Sequence, residues 1–194
     1  MTLRSCGMLL GLGLGVAVLA RAVSAHAADP GASSDATAQT EQVLMKLHHS
    51  NQMEVAAGKL AQEKGQSKDI KSFGKTLVTD HSAADKKVMA LAKEQKITLP
   101  AAAPMPEDKM NKMKAASGAD FDKMFAADML EDHKKDIADA KSAHDSTQDA
   151  KLKALLASTI PVLEKHRDTA QKLTDKLGPS ASAAGSNAAP AATK

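Results

Sequence analysis

Aromatic side chains are scarce in this sequence, and their scarcity limits the kind of core that it can form. The 194 residues include no Trp and no Tyr, and the three phenylalanines are Phe73, Phe121 and Phe125. The core must be built from Leu, Ile, Val, Met and Ala, which suit closely packed helices better than a sheet. Without aromatic residues for base stacking, and without a concentrated basic stripe, no nucleic-acid partner is expected.

Cysteine is also nearly absent. The single cysteine, Cys6, comes before the apolar run Met8–Ala20, so it is not placed to be the lipidated residue of a lipoprotein. A mature chain that begins after this run contains no thiol. Disulfides and thiolate metal ligands are then excluded, and stability must come from helix packing.

The first 27 residues have the features of a secretory signal peptide. Arg4 precedes the apolar run, and Ala25-His26-Ala27 matches the small-x-small pattern of a signal-peptidase site. The run is too short for a comfortable membrane span, so no transmembrane segment is expected in the mature form. We therefore expect cleavage after Ala27 and a periplasmic location.

Little net charge remains after that cleavage. Loss of Arg4 and Arg21 leaves 24 basic residues against 23 acidic ones, which gives a mature net charge of +1 instead of the +3 of the full chain. General electrostatic attraction to membranes or polyanions is not implied.

Helical spacing of apolar residues continues through four stretches between residues 37 and 178, which predicts an all-α, antiparallel four-helix bundle. Residues 28–36 and the Ala/Ser-rich tail 179–194 are expected to be flexible. The predicted helices are Thr37–Lys64, Ser67 to before Pro100, Ser117 to about His144, and a last helix from the Ser146–Asp149 capping pattern to Gly178. A long link between helices two and three, residues 100–106 with a short helix over Met105–Lys114, follows from the prolines around it.

Polar residues interrupt the apolar seam of each helix near its midpoint. Either member of the pairs Asp80/His81 and Asp132/His133 satisfies the seam spacing, and the pattern alone does not choose between them. Midpoints of antiparallel neighbours lie at one level, so a mid-bundle group of carboxylates and imidazoles is predicted. Its candidate members are Glu54, Asp80, His81, Asp132, His133 and His166.

Three motifs around these residues resemble the domain of unknown function 4142 family. They are Phe73–His81, Gly118–Asp122 leading to Asp132–Lys135, and Ile160–His166, within a resemblance that covers about Gln39–Leu177. The resemblance implies an exported bacterial protein with a ferritin-like bundle, and no biochemical activity comes with it. Ferritin-like metal sites use Glu-x-x-His motifs, and no histidine of this sequence has a Glu three positions before it.

The polar group has two interpretations. A structural layer, in which an Asp of one helix orients the imidazole of another, is favoured because buried polar groups are usually present as hydrogen-bonded pairs. The alternative is a transition-metal site that makes the protein a metal-binding protein or a metal-dependent oxidase. An envelope-associated interaction protein is a third hypothesis. No nucleophile motif or phosphate loop is present, so a non-enzymatic binding or stress-related role is favoured.

A copper(I) site is a further hypothesis from the methionines. His48 and His49 lie near Met45 and Met53 in the first helix, and three more methionines surround the long link, namely Met105, Met110 and Met113. Thioethers and imidazoles are suitable ligands for copper(I). Methionine is also a common core filler where aromatic residues are missing, so packing is the simpler explanation.

The signal-peptide hypothesis makes a direct prediction. Mass spectrometry of the protein isolated from its cells should give a mature N-terminus at or near Ala28, in the periplasmic fraction. An intact Met1 terminus, or recovery from the cytoplasm, would contradict the hypothesis.

Overall fold

The computed structural model describes residues 30–101 and 105–178, with the side chains of the first helix described from residue 36. These ranges contain five helices and no strand, which confirms the all-α class. The helices are α1 (Pro30–Lys64), α2 (Lys68–Glu94), α3 (Glu107–Ala115), α4 (Gly118–Ser146) and α5 (Ala150–Leu177). The predicted signal peptide and the tail 179–194 lie outside the described residues.

The first helix begins earlier than the sequence predicts. It starts at Pro30, within the segment 28–36 that was expected to be flexible. Proline is suited to the first position of a helix because its fixed φ is already helical and its missing N–H would have no partner there. The apolar periodicity, which begins only at Thr37, carries no information about this extension.

The N-cap of α2 is the residue that the sequence predicts, whereas the N-cap of α5 is a different one. Ser67 precedes α2 and accepts a hydrogen bond from the Ile70 N–H at 3.1 Å, as its position predicts. The cap of α5 is Asp149 instead of Ser146, and its carboxylate accepts from the N–H groups of Lys151 and Leu152 at 2.8 and 2.9 Å. A carboxylate gains additional stabilisation from the positive end of the helix dipole, which favours Asp149.

Helices α1 and α2 approach each other closely at two glycines. Gly58 and Gly74 face each other, and a Cβ at Gly58 would lie 2.6 Å from the Gly74 carbonyl oxygen. Further along the same pair, Asn51 contacts His81 and His48 contacts Asp85, so residue numbers rise along α1 as they fall along α2. The glycines therefore set the separation of the two helices below the level where the polar residues meet.

A buried aspartate attaches the start of α4 to the turn between α1 and α2. Asp122, which is 2% exposed, accepts from the backbone N–H groups of Gln66 and Ser67, each at 2.8 Å. Two N–H groups at the same turn are thus satisfied by one side chain from a distant part of the sequence. This contact fixes how α4 is placed against the α1–α2 pair.

The buried apolar residues form two clusters with polar residues between them. One cluster contains the phenylalanines, Leu77 and Ala170, and the other contains Leu44, Val88 and Ile137. Between them, the four long helices contribute five buried polar side chains that we call the polar layer: Asn51, Glu54, His81, His133 and His166. The core is therefore interrupted at the level where the sequence seams are interrupted.

The close glycine contact gives a prediction about stability. Replacing Gly58 by Ala should lower the free energy of unfolding by about 1–3 kcal/mol, because the new methyl group meets a backbone carbonyl that cannot rotate away. In an unconstrained helix the same change stabilises by about 1 kcal/mol, so the sign of the effect is informative. Urea denaturation monitored by circular dichroism measures it.

The neighbouring exposed position supplies the control. Lys75→Ala, one residue from Gly74 on the outer face of α2, should change stability by no more than about 0.5 kcal/mol. A stabilised Gly58→Ala variant would show that the two helices are not in backbone contact.

Candidate metal centre

Three imidazoles from three different helices meet within the polar layer. His81 of α2, His133 of α4 and His166 of α5 are 3%, 1% and 1% exposed. Each offers one ring nitrogen, and these three nitrogens lie within 4.8 Å of one another. The rings are brought together because each histidine lies on the inward seam of its helix, four residues from a buried Leu77, Met129 or Ala170.

The outer nitrogen of each ring has a hydrogen-bond acceptor. His81 Nδ1 lies 2.9 Å from Asn51 Oδ1, and His133 Nδ1 lies 2.8 Å from the Met129 carbonyl oxygen. His166 Nε2 lies 2.9 Å from a carboxylate oxygen of Asp80. Oxygens of this kind accept and do not donate, so these three nitrogens carry the ring protons.

The inner nitrogen of each ring is consequently left with a lone pair. His133 Nε2 and His166 Nδ1 are 3.3 Å apart, yet neither carries a proton in this tautomer arrangement. His81 Nε2 is buried and has no hydrogen-bond partner within the described part of the chain. Three unprotonated imidazole nitrogens thus share a small volume from which water is largely excluded.

Burial keeps these imidazoles neutral. Desolvation lowers the pKa of His81 well below its usual 6.5, and the neighbouring His133 and His166 lower it further. Desolvation also lowers the pKa of His133 to about 4, although the Met129 carbonyl opposes the shift. The pKa of His166 is lowered for the same reason, against the contribution of Asp80. At neutral pH the rings are therefore uncharged and their inner lone pairs are available.

A buried carboxylate lies next to the imidazoles. Glu54 is 4% exposed, and its Oε1 lies 3.7 Å from His133 Nδ1. Its other oxygen, Oε2, is buried without a hydrogen-bond partner among residues 30–101 and 105–178. Desolvation raises the pKa of Glu54 well above its usual value, with smaller contributions from Asp132 and Asp136.

The structure distinguishes the two members of each Asp-His pair. His81 and His133 point inward, whereas Asp80 is 38% exposed at its side chain and reaches His166 from outside. Asp132 does not join the imidazoles, because its carboxylate pairs with Lys109 of α3. Neighbouring residues on a helix point about 100° apart, which explains why only one of each pair enters the polar layer.

Two features of the site were not predicted from the sequence. Asn51 lies on the predicted seam of α1, but its role as the acceptor for His81 depends on a contact between helices. A second buried pair joins His48 Nδ1 to Asp85 Oδ1 at 2.6 Å, and Gln52 donates to the other oxygen of Asp85 at 2.5 Å. Asp85 follows His81 by four residues on the same face, which is the one signal in the sequence that indicates its burial.

A cavity of about 190 Å³ opens beside the imidazoles. It is lined by His81 and His166, by Asp80, and by the hydroxyl residues Ser158 and Thr159 of α5. The cavity therefore borders the histidine cluster on the side of α2 and α5.

The described residues form an all-helical structure that contains a buried cluster of three histidines. The family model described as Domain of unknown function (DUF4142) matches residues 23–173, and the chain belongs to that family. Comparisons with curated proteins and with solved structures found no match.

The lowered histidine pKa values predict a loss of stability in acid. Because the folded pKa of His133 is about 4 and the unfolded value is 6.5, the folded state binds fewer protons between these pH values. The contribution of neutral His133 to the free energy of unfolding is fully present above pH 6.5. It falls as the pH is lowered, and about 3 kcal/mol is lost at pH 4.

The measurement compares the metal-free protein with a His133→Gln variant by urea denaturation in the presence of a chelator. The raised pKa values of Glu54, Asp128 and Asp136 have the opposite effect on stability, and both proteins contain all three groups. The stability advantage of the unmodified protein over the variant should shrink by about 3 kcal/mol from pH 7 to pH 4. An advantage that does not change with pH would show that His133 is not buried in its neutral form.

Proposed function

We propose that this protein is an exported, periplasmic metal-binding protein that holds one transition-metal ion between His81, His133 and His166. The observation that carries the proposal is that one ring nitrogen from each of these three buried histidines lies within 4.8 Å of the other two. Imidazole nitrogens are ligands for zinc, copper, iron and nickel. Metal binding is the activity that this donor set supports directly.

The outer hydrogen bonds support a metal site in particular. Metal-ligating histidines usually donate their second N–H to a carboxylate, a carbonyl or a similar acceptor, which fixes the tautomer and the ring orientation. Asp80, the Met129 carbonyl and Asn51 occupy these three positions here. The arrangement therefore holds the inner lone pairs in place before any ion arrives.

The spacing of the inner nitrogens also supports the proposal. Nitrogen ligands at about 2.0–2.1 Å from a tetrahedral zinc ion lie about 3.3–3.4 Å from one another. His133 Nε2 and His166 Nδ1 are 3.3 Å apart. Three protein ligands leave a fourth position open, and a cavity lies beside two of the three histidines, His81 and His166.

A purely structural polar layer is less consistent with this geometry. In a structural layer each buried nitrogen is expected to have a hydrogen-bond partner. Instead, His81 Nε2 has no partner in the part of the chain that the structure describes, and two lone pairs face each other across 3.3 Å. A bound cation removes this unfavourable arrangement, whereas packing alone leaves it in place.

The ferritin-like dinuclear site does not fit these residues. That site needs carboxylates that bridge two metals and Glu-x-x-His motifs on two helices. The only buried carboxylate of the polar layer in the described residues, Glu54, faces the outer nitrogen of His133. A mononuclear site with three nitrogen ligands is therefore proposed, within an antiparallel four-helix bundle made of α1, α2, α4 and α5.

Export is supported by the sequence features of residues 1–27 and agrees with the absence of cysteine ligands in the site. Among the described helices, none combines the length and the apolarity needed to cross a membrane. A histidine site needs no thiol, so it does not depend on the redox state of the compartment.

The test is a metal titration of untagged protein that has been stripped with a chelator. Zn²⁺ and Co²⁺ should each bind with one equivalent per chain, and Co²⁺ should give the visible absorption of a tetrahedral site. At a free metal concentration of about 100 Kd, binding should stabilise the fold by about 2.7 kcal/mol, a rise of roughly 5 to 10 °C in melting temperature.

Matched histidine variants make the test specific. His81→Gln and His166→Gln should each abolish the metal-dependent rise, because each removes a ligand. His144→Gln, at a partly exposed position near the end of α4, should leave it unchanged. Equal responses in all three variants, or no stoichiometric binding by the unmodified chain, would refute the proposal.

A further inference from the structure

A second cavity, of about 220 Å³, lies between α1, α4 and the link that precedes α3. Glu54 lines it, but none of the three clustered histidines is among the described residues that border it. It is therefore a separate space from the one between His81, His133 and His166.

The donors in this cavity are unusually soft. Three methionines line it from three parts of the chain: Met53 from α1, Met105 from the link and Met129 from α4. His49 also lines it, one helical turn before Met53, so these two residues lie on the same face of α1. Met105 and Met129 are 5% and 1% exposed, which keeps water away from their thioethers.

An unpartnered ring nitrogen indicates a ligand in this space. His49 Nδ1 is buried and makes no hydrogen bond to any residue that the structure describes. Burying such a polar group without a partner is costly, and native structures rarely tolerate it. Methionines that merely fill a core remove empty volume, whereas these border a cavity together with His49.

The oxygen donors of the same cavity are already engaged. Asp132 is paired with Lys109, and the Ser50 hydroxyl donates to Asp136. Apart from Oε2 of Glu54, the described lining groups left without a polar partner are the methionine sulfurs and the His49 ring nitrogen Nδ1. Thioether ligands select soft cations such as copper(I), and imidazole also binds copper.

We propose that Met53, Met105, Met129 and His49 form a second metal site, specific for a soft monovalent cation of the copper(I) class. It goes beyond the histidine centre, because it uses different ligands and a different class of ion. The chain then binds two kinds of metal at two sites. Glu54 is near both, because it lines this cavity and lies 3.7 Å from His133.

The experiment uses Ag⁺, which has the same charge and ligand preference as copper(I) and does not change its oxidation state. Full mature protein labelled with ¹³C at the methionine methyl groups is titrated with Ag⁺ in chloride-free buffer and followed by NMR. The methyl signals of Met53, Met105 and Met129 should shift together and saturate at one equivalent. The signal of Met89, which is 44% exposed, should stay unchanged up to that point.

Variants separate this site from its surroundings. Met105→Leu and Met53→Leu should each weaken Ag⁺ binding at least tenfold, while Met110→Leu, outside the cavity lining, should have no effect. Both leucine variants keep the apolar volume, and a circular dichroism melt checks that each is folded. Since Met53 is only partly buried, its variant stays informative even where Met105→Leu is unstable.

The proposed histidine centre supplies the remaining control. His81→Gln should leave the Ag⁺-induced shifts intact, so this site can be present even when the histidine centre fails its own test. Loss of Ag⁺ binding in His81→Gln, shifts of Met89 equal to those of the cavity methionines, or unchanged affinity in Met53→Leu would each overturn the proposal.

Discussion

The removal of water from the polar layer is the constraint on which the rest of the site depends. Desolvation keeps His81, His133 and His166 neutral, so each ring has one proton and one lone pair to place. Acceptors outside the cluster take the protons, and the lone pairs are left facing inward. The same desolvation raises the pKa of Glu54, so the layer avoids a buried negative charge in the absence of a cation. The proposed metal site depends on this arrangement of neutral, desolvated side chains.

The scaffold holds this layer from both sides. Below it, the contact between Gly58 and Gly74 brings the backbones of α1 and α2 together, and Asp122 attaches α4 to their connecting turn. Above it, a second apolar cluster built around Leu44, Val88 and Ile137 closes the core. Since the apolar clusters supply most of the stabilisation, the polar layer can retain unsatisfied groups that a smaller core would not tolerate.

The sequence predicts the helices well because apolar periodicity and breakers are local signals. Ser67 and Gly178 mark helix ends as expected. The start of α1 at Pro30 and the cap of α5 at Asp149 differ from the predicted residues by several positions. The level of the polar residues could also be predicted, since each interrupts an apolar seam. The sequence does not predict which member of an Asp-His pair turns inward. The two neighbouring residues point only about 100° apart on the helix, and either one fits the spacing of the apolar seam. The tautomers, the Asn51 contact and the pair formed by His48 and Asp85 depend on helix-to-helix distances, which no single helix encodes.

The account rests on the claim that three inner ring nitrogens are unprotonated and face one another in the metal-free protein. Long-range ¹H–¹⁵N NMR of the histidine rings at neutral pH measures this directly, because protonated and unprotonated ring nitrogens differ widely in chemical shift. The account predicts protons on Nδ1 of His81 and His133 and on Nε2 of His166, and selective changes at the other three nitrogens when one equivalent of Zn²⁺ is added. Doubly protonated rings, the opposite tautomers, or rapid averaging typical of exposed histidines would contradict it.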